Sequence, residues 1–145
     1  MRITTHTDYG VRVLISLAAI TDRVVTIEEL AKRHKISRNH LMKVVQTLVA
    51  HSLVVGIRGR NGGLKLARPP EDIRIGTVVK LLEPDLKLVA CLGDEPDTCI
   101  FSGCCRLTGA FRNAAKAFFS ELDHLTLADV VGGRKTIEKR LNLAS

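Results

Sequence analysis

Residues 26–50 read TIEELAKRHKISRNHLMKVVQTLVA, and the fold turns on this run. Thr26 and Ser37 are residues that begin helices, because a side-chain oxygen at the N-cap satisfies a backbone N–H that the first turn leaves unpaired. Thr26-Ile27-Glu28-Glu29 has the spacing of a capping box, with Glu29 able to reach back to the N–H of Thr26. A short helix to about His34 is predicted. Ser37 then opens a second helix whose apolar stripe is Leu41, Val44, Val45, Leu48 and Val49. Only His34-Lys35-Ile36 separates the two, which is turn length for a helix-turn-helix pair.

The flanks extend the pattern. Upstream, Gly10, Val13, Leu14, Leu17 and Ala18 recur at helical spacing and predict a helix over residues 4–20. Downstream, the β-branched run Leu53–Arg58, the glycine-rich Gly59-Arg60-Asn61-Gly62-Gly63 and then Leu64-Lys65-Leu66 predict a hairpin, with glycines where positive φ is needed. Pro69-Pro70 breaks the chain, and Ile73–Glu83 reads as a helix stopped by Pro84. From Cys105 onward, Leu107, Ala110, Phe111, Ala114, Phe118, Leu122 and Leu125 form a stripe too long for one small domain to cover. That stripe is either an internal core helix or, as expected here, a helix through which two copies pair. The fold class predicted is mainly α: a winged helix-turn-helix with a long C-terminal dimerisation helix. Residues 1–83 form the DNA-binding domain, 84–106 a cysteine loop, 107–131 the dimerisation region, and 132–145 a polar tail expected to be mobile.

Charge supports a nucleic-acid partner. The net charge of +7 sits wholly in the first half, where residues 1–75 carry 13 Lys/Arg against 6 Asp/Glu and residues 76–145 carry 9 against 9. In a winged helix the second helix of the pair enters the major groove, here leading with Ser37, Arg38, Asn39 and His40. Arginine suits guanine edges and asparagine adenine edges. Arg58, Arg60 and Asn61 sit on a narrow glycine-hinged tip suited to a minor groove. Arg2, Lys43 and Lys65 are candidates for phosphate contacts. A single exposed arginine is ordinarily solvated surface, and His51 and His124 read as ordinary helix residues; the combination is what points to DNA. An aromatic content of 3% leaves no stacking platform for single-stranded RNA.

All four cysteines fall in CLGDEPDTCIFSGCCRL, residues 91–107. The apolar run Val13–Ile20 is too short to span a bilayer and lacks the flanks of a signal peptide, so a cytoplasmic protein without membrane association is expected. Clustered thiols there bind metal or do redox work more often than they form disulfides. Zinc sites favour short C-x₂₋₄-C pairs, which are missing apart from the adjacent Cys104-Cys105. Leaving out Cys104 gives C-x₇-C-x₅-C, and leaving out Cys105 gives C-x₇-C-x₄-C. Three soft thiolates suit an iron–sulfur cluster, one ligand short for four irons. A metal-free thiol switch is the second reading. A catalytic Cys105 finds no histidine assigned to it, so no enzyme is expected.

Taken as a set, several motifs resemble the bacterial iron–sulfur winged-helix regulators: Met1-Arg-Ile-Thr followed by Thr7-Asp-Tyr-Gly-Val-Arg12, Ser37-Arg-Asn-His-Leu-Met-Lys43, Arg58-Gly-Arg-Asn-Gly-Gly-Leu64, and three spaced cysteines before Arg106-Leu107. The likeness covers the chain to about Val131 and is greatest to the nitric-oxide-sensitive branch. It implies a homodimer on double-stranded operator DNA, with the long helix at the interface and an iron–sulfur cluster, [4Fe-4S] or alternatively [2Fe-2S], nearby. It implies Cys91, Cys99 and Cys105 as ligands and Asp8 of the other subunit as the fourth, with Cys104 a spare thiol. It implies a repressor whose signal is nitric oxide. Thr108 stands where the cluster-biogenesis branch carries a histidine. The iron-responsive branch shares similar cysteine spacing, which keeps an iron or redox signal as the alternative.

Overall fold

A computed structural model describes residues 3–83, 88–93 and 99–142. Helix α1 (Thr5–Ala19) is followed by α2 (Ile27–His34) and α3 (Arg38–Ala50), the strands β1 (Val54–Ile57) and β2 (Gly63–Leu66), and α4 (Ile75–Leu82). Then come α5 (Arg106–Asp123), α6 (Leu127–Val130) and α7 (Arg134–Arg140), with short 3₁₀ turns at Pro70–Asp72 and Ala90–Leu92. The order helix, helix-turn-helix, hairpin is that of a winged helix.

Helix α1 runs through the middle of the molecule and touches α3, α4, α6, α7 and β2. Val13, Leu14 and Leu17 on it meet Leu30 of α2 and Leu41, Val44 and Leu48 of α3 in one aliphatic core. Leu14, Leu30, Leu41 and Leu48 are at most 1% exposed, and each contributes about 1.5–3 kcal/mol through burial. Between α2 and α3, Lys35 takes a left-handed conformation (φ 55°) that ends the first helix and turns the chain into the second.

The two predicted N-caps form: Thr26 accepts from the N–H of Glu29 at 3.1 Å and Ser37 from that of His40 at 3.3 Å. The predicted capping box is only half made. The Glu29 carboxylate turns instead to Arg23, at 2.6 and 2.8 Å, and to Arg33, at 2.9 Å. Two guanidinium groups outcompete one amide for it, and they hold its pKa down at about 2, the Arg23 hydrogen bond being the largest cause. The complete capping box lies elsewhere, at Thr126 and Asp129.

The hairpin pairs Val54 with Leu66 through to Ile57 with Gly63. Leu64 also exchanges backbone hydrogen bonds with Val25, at 2.8 and 3.1 Å, which fastens the wing to the segment entering α2. Of the tip glycines only Gly59 has positive φ, 116°. Gly62 serves a different need: its N–H closes the tip on the Gly59 carbonyl at 3.0 Å, and a Cβ there would strike the Ile57 carbonyl.

Helix α5 leans on α4 at a close crossing. Lys80 pairs with Asp123 at 3.0 Å and lies over the Phe119 ring, while the Arg74 guanidinium donates to the Asp123 carbonyl at 3.2 Å. The predicted stripe divides. Leu122 packs against the core, beside Phe119, which the stripe did not include, whereas Leu107, Ala110 and Ala114 are exposed, and no residue of α5 is fully buried. The segment after Gly133, expected as a polar tail, instead carries α7. Ile137 and Leu141, one turn apart, pack it against the core, with Leu141 8% exposed. A two-residue apolar face of this kind is too sparse to register as periodicity.

Gly76 makes the α4–α5 crossing possible, since a Cβ there would lie 2.8 Å from the Phe119 carbonyl oxygen and against the Asp123 carboxylate. Replacing it with Ala forces the helices apart. Gly76→Ala is expected to lower stability by about 1–3 kcal/mol despite alanine's better helix propensity, read as a lower urea midpoint at unchanged slope.

Candidate nucleic-acid interface and cluster site

The first site is built on α3. Its apolar positions Leu41, Val44, Val45 and Leu48 are at most 5% exposed, which turns the opposite face outward. Ser37, Arg38, Asn39, His40 and Lys43 are all exposed along that face. Arg58, Arg60 and Asn61 are exposed at the wing tip, and Lys65 on β2. Arg2 lies outside the described residues.

Some of the basic side chains are neutralised and others are not. Arg12, Arg23, Arg33 and Lys80 are paired with Asp8, Glu29, Glu29 and Asp123 respectively. Among the described residues, Arg38, Lys43, Arg58, Arg60 and Lys65 have no carboxylate partner. The recognition helix and the wing therefore present uncompensated cations together with the amide of Asn39 and the ring of His40. That combination is suited to a polyanion whose bases offer acceptors.

The second site surrounds the start of α5. Cys91, on the 3₁₀ turn Ala90–Leu92, is half-buried, and its Sγ lies 3.4 Å from Thr108 Oγ1 in the first turn of α5. Cys105 is the N-cap of α5, also half-buried, and makes no side-chain capping bond. Cys99 is half-buried, its carbonyl accepting from the Ser102 N–H at 2.9 Å. Cys104 is exposed, and its thiol is directed at the Phe101 carbonyl, 3.3 Å away. All four are free thiols. Among the described residues no three His, Cys, Asp or Glu side chains converge closely enough to hold a metal ion. The donor set is nonetheless of the soft kind an iron–sulfur group takes: three partly sheltered free thiols, two of which, Cys91 and Cys105, lie at the first turn of α5. Thr108 holds Cys91 against that helix.

Asp8 lies in the first turn of α1, half-buried, with both carboxylate oxygens taken by Arg12 at 2.7 and 3.1 Å. Arg12 also stands over the Tyr9 ring, 5.9 Å from its centre. One turn on, the buried Ser16 hydroxyl donates to the Arg12 carbonyl and shares a 2.8 Å hydrogen bond with His34, at the end of α2. Burial pushes the His34 pKa down, and Arg12 and Arg33 add to the effect.

Sequence reasoning missed Glu83. It is 9% exposed, and one carboxylate oxygen, Oε2, accepts from the Thr4 N–H at 3.0 Å, the Thr4 hydroxyl at 3.2 Å and the Thr7 hydroxyl at 2.8 Å. The only available signal was a lack: Thr4 and Thr7 have the spacing of a capping box without its acidic partner.

Comparison with known proteins agrees with this arrangement. Residues 3–133 match the family model Rrf2, described as an iron-dependent transcriptional regulator. The HTH-type transcriptional regulator NsrR of Halalkalibacterium halodurans is 40% identical over 144 residues, 99% of each chain. The regulator of the same name from Bacillus licheniformis is 41% identical over 143 residues, covering 98% of this chain and all of its own. Among solved structures, T. potens IscR superposes with a TM-score of 0.74 at 27% identity, covering 92% of this chain and 88% of its own. CymR, the global cysteine regulator of B. subtilis, gives 0.74 at 26% identity, covering 91% and 97%. With a winged helix, a reading face of free cations and full-length likeness to transcriptional regulators, the chain belongs to the Rrf2 family: it is a DNA-binding regulator of transcription and not an enzyme.

Proposed function

We propose that the chain is a cytoplasmic, homodimeric repressor of transcription that binds an iron–sulfur cluster and senses nitric oxide. The observation that supports this reading is that the chain's four cysteines all fall between positions 91 and 105 as free thiols, with Cys91 and Cys105 at the first turn of α5. The choice of signal rests on the likeness of the sequence motifs to the nitric-oxide-sensitive branch, and likeness to the NsrR relatives over the whole chain supports a regulator of transcription.

Cys91, Cys99 and Cys105 would hold the cluster, [4Fe-4S] in preference to [2Fe-2S], with Asp8 of the other subunit as fourth ligand. When bound, the group supplies iron that nitric oxide can attack. Cys104, exposed and directed at the Phe101 carbonyl, is taken as a spare thiol. For Asp8 the ligand role means giving up the Arg12 guanidinium that occupies both its oxygens. In a two-fold dimer joined through the exposed face of α5, the two α3 helices address successive major grooves about 34 Å apart on a near-palindromic operator. Ser37, Arg38, Asn39 and His40 read bases there. Arg58, Arg60 and Asn61 enter the minor groove, and Arg2, Lys43 and Lys65 contact phosphates. A coupling of about 1–3 kcal/mol between cluster state and operator affinity is enough for a switch.

A second reading has its own support. Cys104 is exposed beside Cys105, and the chain also resembles Staphylococcus aureus CymR in a structure described as its oxidized form, with a TM-score of 0.73 at 26% identity. On that reading the chain is a metal-free thiol switch or answers to iron or redox state.

Anaerobically purified protein is expected to be brown, to contain sulfide, and to change its visible spectrum at a few nitric oxide molecules per cluster. Cys91→Ser should abolish the colour and Cys104→Ser keep it. A protein that stays colourless after cluster reconstitution, yet loses operator binding on Cys104 oxidation, would establish the thiol switch instead. Removing the two wing cations of each subunit in Arg58→Ala/Arg60→Ala, four per dimer, should weaken operator binding and reduce the salt dependence of log K by up to about 4. Ala114→Asp, at an exposed position of α5, should leave helix content unchanged and shift sedimentation from dimer to monomer.

A further inference from the structure

Helix α1 begins at a cap made by two distant parts of the chain. Thr4 is the N-cap and accepts from the N–H of Thr7 at 3.2 Å, as a capping threonine does. In an ordinary capping box the residue at Thr7 would be Glu or Gln and would return a bond to the N–H of Thr4. Thr7 has no such acceptor reach. Glu83, 76 residues away, fills the role, accepting from that N–H and from both threonine hydroxyls. Its carboxylate lies at the positive end of α1, a placement the helix dipole favours. Thr7 is fully buried, so loss of Glu83 would leave its hydroxyl without this acceptor.

Glu83 directly follows α4 and stands eight positions before Cys91 in the chain. The turn it caps carries Asp8 and lies two residues from Arg2. The order of α1's first turn is thereby tied to the position of the chain where it leaves α4 for the cysteine loop. We propose that Glu83 is a positioning residue, a capping carboxylate supplied from a distant part of the same chain, through which the state of the cysteine loop sets the first turn of α1 and with it operator affinity. This rests on reading the cysteine loop as the seat of the signal.

The test compares wild type, Glu83→Ala, Glu83→Gln and the milder Thr7→Val. Amide hydrogen exchange is measured on cluster-free protein, and operator affinity on cluster-loaded and cluster-free protein. Glu83→Ala should speed exchange at residues 4–8 at least tenfold while leaving core amides such as those of Leu41 and Leu48 unchanged. The ratio of loaded to free operator affinity should fall toward one. Glu83→Gln, which keeps an acceptor oxygen, should stay near wild type, and Thr7→Val should fall between. Wild-type exchange at residues 4–8 in Glu83→Ala, or an undiminished affinity ratio, overturns the proposal. So does faster exchange spread evenly over the chain, the mark of a merely structural role. If the wild-type ratio is itself one, the cysteine loop is not the seat of the signal. The transmission role then falls with that reading, whatever the exchange at residues 4–8 shows.

Discussion

The burial of α1 is the constraint on which the rest of the molecule depends. The helix touches α3 in the reading head as well as α4, α6 and α7 in the second half. Its apolar side, with Val13, Leu14 and Leu17 at most 4% exposed, joins the two halves into one core. Its two buried hydroxyls are as telling as the leucines. Thr7 is bonded to Glu83 beside the cysteine loop, and Ser16 to His34 at the turn into α3. A polar group buried without a partner is costly, and no buried side-chain nitrogen or oxygen among the described residues lacks one. A shift of α1 along its axis would break both bonds at once, so the elements it joins are held in register by chemistry as well as by packing.

Much of the reading head was legible because its signals are local. An N-cap needs one side chain and the amide three residues on, and both Thr26 and Ser37 behave accordingly. The hairpin follows from β-branched runs about a glycine tip. Where the expectation failed, a partner distant in sequence or on an adjoining loop intervened. Glu29 was drawn from its expected capping bond by Arg23, on the loop before α2, and Arg33. Gly62 and Gly76 meet steric demands that depend on where another strand or helix passes. Leu141 is buried only because α7 folds back onto the core.

The candidate sites divide along the same line. Exposed cations on the recognition helix could be named from the sequence because exposure follows from helical periodicity. The distinction between free and neutralised cations could not: Arg12 and Arg33 look no different from Arg38 until their carboxylates are located. Likewise the thiols were visible as a cluster in sequence, but the contact of Cys91 with Thr108 depends on how the loop returns to α5. Glu83 was invisible altogether, being one acidic residue at the end of a helix, 79 positions from the amide it caps.

The contact between Arg12 and Tyr9 has a practical side. The chain contains one tyrosine and no tryptophan. That tyrosine is half-buried beside Asp8, under the guanidinium that pairs with it. Tyrosine emission from the unmodified protein therefore originates at a single place, the opening turns of α1, with no tryptophan to mask it. The molecule carries its own optical label where the first helix meets the end of α4.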